Sequence, residues 1–137
     1  MKRSRRAVVA TAAVVVVAVG AAAAIGALGS TSRARSGFRL AGHVTGLYPG
    51  KHKSLVIVVR NPGRKALRVR SITTSVRDAS RACPRRNLHV SRWRGRLRVN
   101  GRRSRSVRVT VWLRADSPSA CQDARFPLVF RGRATRG

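Results

Sequence analysis

Over residues 107–114 the chain reads V-R-V-T-V-W-L-R, and apolar and polar positions alternate almost without a break. In an extended strand successive side chains point to opposite faces. Val107, Val109, Val111 and Leu113 therefore share one face, and Arg108 and Arg114 take the opposite phase. Residues 67–70, L-R-V-R, repeat the pattern, with Arg68 and Arg70 alternating with Leu67 and Val69. From Phe38 onward no stretch carries a 3.6-residue period, which excludes an amphipathic-helix architecture for this part. The alternation predicts strands whose apolar side faces a core and whose cationic side faces water.

Turn signals divide the strands. Residues 38–44 form a first strand, followed by the turn G-L-Y-P-G at 46–50. The run L-V-I-V-V at 55–59 is a continuous apolar strand, and N-P-G at 61–63 ends it, because Pro presets φ and Gly accepts positive φ. Residues 67–76, 88–90 and 97–99 follow as strands, then N-G at 100–101 as a turn, then 107–114 and 126–130. About seven strands in about a hundred residues are spaced for a two-sheet antiparallel β-sandwich.

The charge balance constrains function. The chain carries 31 Lys and Arg against 3 acidic residues, a net charge of +28, and 27 of the cations are arginine. Asp78, Asp116 and Asp123 are the only acids, which argues against paired-carboxylate chemistry. A hydrophobic content of 43% excludes a generic disordered basic tail. From Phe38 on, 22 Arg and 3 Lys stand against 3 Asp, a net +22. That exceeds the charge of about 2–8 that solubility asks of a small domain. Arginine forms bidentate contacts with phosphate and carboxylate. The candidates for polyanion binding are Arg68, Arg70, Arg92, Arg94, Arg96, Arg98, Arg102, Arg103, Arg105, Arg108 and Arg114. The plainer reading is a solvated face that also keeps sheet edges from pairing with other chains.

The N-terminal part differs in kind. Lys2, Arg3, Arg5 and Arg6 form a basic cluster, and residues 7–29 then run 23 positions without a charge. As a helix that run would span roughly 34 Å, enough for a hydrocarbon core of about 30 Å. The basic cluster would stay on the cytoplasmic side and set the orientation. Two readings stay open: a signal peptide cleaved after Ala27-Leu28-Gly29, or an uncleaved single-pass transmembrane anchor. The expected organisation is a signal peptide or anchor over 1–29, a polar linker over 30–37 and a β-sandwich domain over 38–137. The expected location is the cell membrane, with the C-terminal domain outside, or the secreted fraction.

Cys83 and Cys121 are the only cysteines. In an oxidising compartment they should pair. Closing a loop of about 39 residues stabilises by roughly 4 kcal/mol on the chain-entropy model. Both lie in predicted loops, so the bridge should tie loops at one pole rather than pin the sheets together.

Little points to catalysis. The three Asp fall in loops near the cysteines, where they could cluster, but turn chemistry accounts for each. His43, His52 and His89 fall on different elements and show no metal-ligand spacing. No Gly-x-Ser-x-Gly elbow and no phosphate-binding Gly-rich loop is present. The reading is a non-enzymatic protein with no catalytic residue, metal or cofactor. Trp112 takes the outward phase of its strand and Trp93 lies between Arg92 and Arg94; both read as packing residues ahead of partner contacts, as does Tyr48.

The order of motifs carries a resemblance. G-L-Y-P-G (46–50), N-P-G (61–63), L-R-V-R-S-I (67–72), C-P-R-R-N-L-H-V (83–90), V-R-V-T-V (107–111) and A-C-Q-D-A-R-F-P-L-V-F-R-G-R-A (120–134) follow one another. This resembles a group of uncharacterised exported immunoglobulin-like proteins of high-GC actinobacteria. The resemblance covers nearly all of residues 38–134, implies an immunoglobulin-like sandwich there, and implies no activity. With the apolar run before it, the expected fold is that sandwich preceded by one N-terminal hydrophobic helix. The chain departs from the group by carrying Arg where its members more often have Thr, Ser or Asn. The expected partner is an anionic envelope polymer or a membrane surface bearing anionic head groups. Sequence-independent nucleic-acid binding is the runner-up, disfavoured by an aromatic content of 4%. A structural or protein-interaction module is the third reading, and no oligomeric state can be read.

Overall fold

The computed structural model describes residues 30–33 and 37–137. They form an all-β domain of two antiparallel sheets in a sandwich-like, half-barrel arrangement. Sheet A has the order β1-β2-β3-β7-β5, from β1 (Ser30–Arg33), β2 (Arg39–Gly42), β3 (His52–Arg60), β7 (Ser104–Leu113) and β5 (Leu88–Val90). Sheet B has the order β6-β4-β8, from β6 (Trp93–Val99), β4 (Leu67–Val76) and β8 (Leu128–Arg136).

The seven strands expected from the alternation are all present. β3 pairs with β7 along its whole length, from His52 opposite Trp112 to Arg60 opposite Ser104. β4 pairs with β6 on one side and β8 on the other. The apolar phases face each other between the sheets. Leu55, Ile57 and Val59 of β3 and Val111 and Leu113 of β7 are wholly buried, as is Val69 of β4, with Ile72 close behind. Phe38, Leu47, Phe126 and Phe130 complete the core from the loops and from β8.

Two elements differ from expectation. Ser30–Arg33, within the polar stretch read as linker, pairs antiparallel with β2 as an edge strand. The last strand also starts later and runs further than 126–130, to Arg136. Its inward positions beyond Phe130 are Gly132 and Ala134, too small to leave an apolar signature. Gly132 is small for a reason: a Cβ there would meet the Phe38 ring at 2.5 Å. That close approach lets the chain entering β2 lie against β8.

The membrane reading is corrected. No helix among the described residues is long and apolar enough to cross a membrane. The helical elements found are two 3₁₀ turns of three residues each, Arg85–Asn87 and Ser119–Cys121, where a span needs about 20. A transmembrane helix and a single-pass placement in the cell membrane therefore do not stand as features of this structure. Residues 1–29, on which the signal-or-anchor reading fell, lie outside the described residues, and with them the orienting cluster Lys2, Arg3, Arg5 and Arg6.

The loops gather at two poles. At one, Cys83 of the β4–β5 loop is disulfide-bonded to Cys121 of the β7–β8 loop, with Cα atoms 5.0 Å apart and both side chains buried. The expected bridge is present, and it joins loops. The same pole is closed by Asp123, whose Oδ1 accepts from the Gly46 N–H at 2.9 Å. Gly46 sits at φ +63, a conformation that favours glycine. At the other pole the buried Asn61 serves as the tie. Its Nδ2 donates to the carbonyls of Lys65 (2.8 Å) and Val99 (3.1 Å), and its Oδ1 accepts from Gly63 N–H at 3.0 Å.

Candidate functional site

The outer face of sheet B is an arginine surface. In β6, Trp93, Leu97 and Val99 turn toward the core, so Arg94, Arg96 and Arg98 project outward. In β4, Arg68 lies directly across from Arg98. The ladder then shifts. β4 carries one residue more than β8 between the Val69–Ala134 and Ser71–Arg133 pairs, so Arg70 is accommodated as a bulge. The bulge resets the phase. Val69 and Ile72 are both buried, and Ser71, Thr73 and Ser75 take the outward positions beyond it.

β8 completes the face. Arg133 pairs with Ser71, and Arg131 with Thr73. Ser71 is thus flanked on both sides, by Arg94 of β6 and by Arg133 of β8. Seven arginines occupy this face, and no acidic residue occurs in any of its three strands.

Of the sequence candidates, Arg68, Arg70, Arg94, Arg96 and Arg98 come together here. The others do not join them. Arg92 precedes β6, and Arg102 and Arg103 lie in the β6–β7 turn, Arg102 at φ 57 with its N–H bonded to Gly63 O at 2.8 Å. Arg105 is the second residue of β7 and donates through Nη1 to Arg98 O at 3.3 Å. Arg108 lies on the outer face of sheet A, opposite Val56. Arg114 is held by Asp116, through Nε to Oδ1 at 2.9 Å and Nη2 to Oδ2 at 2.7 Å. This is the one ion pair among the described residues. The Arg114 guanidinium holds the Asp116 carboxyl below its ordinary value, first by hydrogen bonding, and Asp116 raises Arg114 in return. Arg131 and Arg133, which complete the face, lie beyond Phe130, where the apolar pattern predicts the last strand to end.

The three Asp do not converge on one site. Asp78 Oδ1 accepts from Arg85 N–H at 2.7 Å, while Asp116 and Asp123 have the partners given above. Among the described residues no group of three or more His, Cys, Asp or Glu is placed to hold a metal ion.

The outer face of sheet A has a different character. Trp112 of β7 stands between His52 of β3 and His89 of β5, with ring centroids 5.3 and 5.4 Å away and planes within 15°. Histidines distant in sequence are thus brought together by register, a convergence that spacing alone does not reveal. Both rings stack on the Trp112 indole. Trp93 packs against the core. Tyr48 differs from expectation: it is 46% exposed, and with Val56 at 42% and Val58 at 40% it is among the exposed large hydrophobic residues.

Comparison with protein-family models, with curated proteins and with solved structures finds no match.

Proposed function

We propose that the protein is an exported, non-enzymatic immunoglobulin-like sandwich that binds anionic envelope polymers through the outer face of sheet B. The observation that carries this reading is the set of seven arginines on one three-stranded face with no acid among those strands. Guanidinium groups held at strand spacing without carboxylate partners have unused donors, and phosphate or carboxylate fits them bidentately. The strand order supports the immunoglobulin-like reading. β2-β3-β7-β5 corresponds to an A-B-E-D sheet, and β4 beside β8 to the C–F pair. One departure is β6, which lies beside the C-like strand but follows β5 in the chain. The disulfide supports an exported protein, since such bonds persist in oxidising compartments.

The test is binding of the full chain to envelope polymers at two salt concentrations. Neutralising about six or more anionic groups should cost about 10³-fold or more in affinity between 50 and 200 mM salt. Binding that ignores salt would instead support a protein-interaction module. The specific observation favouring that second reading is the exposed Val56 and Val58 on sheet A.

A further inference from the structure

We infer that the outer face of sheet B is a channel for a base-free phosphodiester polymer, laid in extended form along β4. The inference rests on the polyanion reading above and names its ligand. The floor of the channel is Ser71, Thr73 and Ser75, hydroxyl side chains on the outward phase of the central strand. The β8 wall places Arg133 beside Ser71 and Arg131 beside Thr73. The β6 wall places Arg94 beside Ser71, and its Arg96 and Arg98 continue along the Arg68–Arg70 end of β4, so the two walls overlap at Ser71. Register fixes the cross-section, with Arg94 and Arg133 both paired to Ser71. The walls stand about two strand spacings apart, roughly 9.5 Å, and their arginines recur at about 6.7 Å along each strand.

Stereochemistry selects the ligand. In a phosphodiester the polymer backbone passes through the phosphorus, and the two non-bridging oxygens diverge to either side of the chain. A phosphate over Ser71 can therefore accept from Arg94 and Arg133 together. A carboxylate hangs from its polymer on a side chain, so its charge lies off the chain axis, and a backbone seated on the floor carries each carboxylate toward one wall rather than between the two. Hydroxyls on the floor donate to the same oxygens and tolerate a polyol between phosphates. No aromatic side chain belongs to either wall or to the floor, and Trp93 packs against the core, so nothing is placed to stack a nucleobase.

The experiment measures affinity of the full chain at 50 mM salt for three probes of equal charge number: poly(glycerol phosphate), polyglutamate and oligodeoxythymidylate. The expected result is at least tenfold tighter binding of poly(glycerol phosphate) than of either other probe. The double variant Arg94→Gln/Arg133→Gln should lose at least tenfold. Arg60→Gln/Arg108→Gln, on sheet A, should lose less than twofold. Arg94→Lys/Arg133→Lys keeps the charge without the fork, and an intermediate loss supports bidentate contact while guarding against misfolding of the Gln variant. Equal affinity for polyglutamate overturns the channel and leaves the polyanion reading standing. Tighter binding of oligodeoxythymidylate overturns it in favour of nucleic acid. Failure of all three probes to bind overturns the polyanion reading itself.

Discussion

On β7 the outward residue between Val107 and Val109 is Arg108, and the residue across the sheet is Val56. On β4 the outward residue between Leu67 and Val69 is Arg68, and the residue across the sheet is Arg98. The two arginines occupy the same local pattern, yet one stands beside a valine and the other beside its own kind. Sheet A consequently shows a mixed surface of Val, Ser, Thr and an aromatic stack, while sheet B concentrates like charge. Alternation decides that an arginine points outward; the pairing partner decides whether it belongs to a field. Like charges directly opposite one another destabilise a sheet. Sheet B therefore carries an electrostatic cost that sheet A largely avoids, and the bridge at the shared pole helps to offset it.

Four measurements would break or sharpen this contrast. The largest effect is expected from Cys83→Ala/Cys121→Ala. Its 38-residue separation implies a loss of about 4 kcal/mol by denaturant unfolding. At low salt, amide exchange in β6 and β8 of that variant should run ahead of β3 and β7. Uniform exchange would remove the distinction between the sheets. Next, Trp112→Ala removes two ring stacks from sheet A, each contributing about 0.5–1.5 kcal/mol beyond area burial. The loss should not depend on salt, and a marked salt dependence would show that charge governs this face as well.

The third effect is smaller and of opposite sign. Arg68→Gln should raise stability at low salt by about a few tenths of a kcal/mol, by relieving Arg98. Arg108→Gln should do less. A thermal shift equal in both variants would mean that net charge, not local opposition, sets the repulsion. The smallest concerns Asp116, which lies on neither sheet face. Its carboxyl titrates low because Arg114 holds its charged form, so what it contributes is present above the unfolded carboxylate value and is lost as pH falls through the lowered folded value. Both groups are exposed, so Asp116→Asn should leave the unfolding midpoint at neutral pH unchanged. The carboxyl resonance of Asp116 should show its midpoint below the ordinary range, and a midpoint at or above that range would falsify the pairing in solution.

Most strands were legible because arginine marks the outward phase so clearly. The disulfide was legible because two cysteines leave one pairing. What stayed hidden depended on partners distant in sequence. Nothing local tells that 107–113 and 67–76 enter different sheets, so the pattern alone groups Arg108 with Arg68. The bulge at Arg70 was hidden because the alternation L-R-V-R gives no sign of the reset at Ile72. Arg131 and Arg133 were missed because Gly132 and Ala134, between and beside them, carry too little apolar weight to mark an inward phase. Ser30–Arg33 was hidden for a related reason: the stretch S-T-S-R has no apolar residue and so no alternation to mark a strand. The His52–Trp112–His89 stack needed two registers at once, across β3-β7 and β5-β7.

Asn61 also bears on how the molecule ages. Spontaneous deamidation of asparagine starts when the backbone nitrogen of the next residue attacks the side-chain carbonyl, and that nitrogen must carry a hydrogen. After Asn61 comes Pro62, which has none. The tie at this pole is thus chemically protected, since conversion to aspartate would aim a carboxylate at the carbonyls of Lys65 and Val99. Asn100 has no such protection: it is exposed and precedes Gly101. Peptide mapping of stored protein should find the new carboxylate at residue 100 and none at 61. Because Arg98 Nε already donates to Asn100 Oδ1 at 3.2 Å, the first negative charge acquired with time would appear at the end of an arginine row.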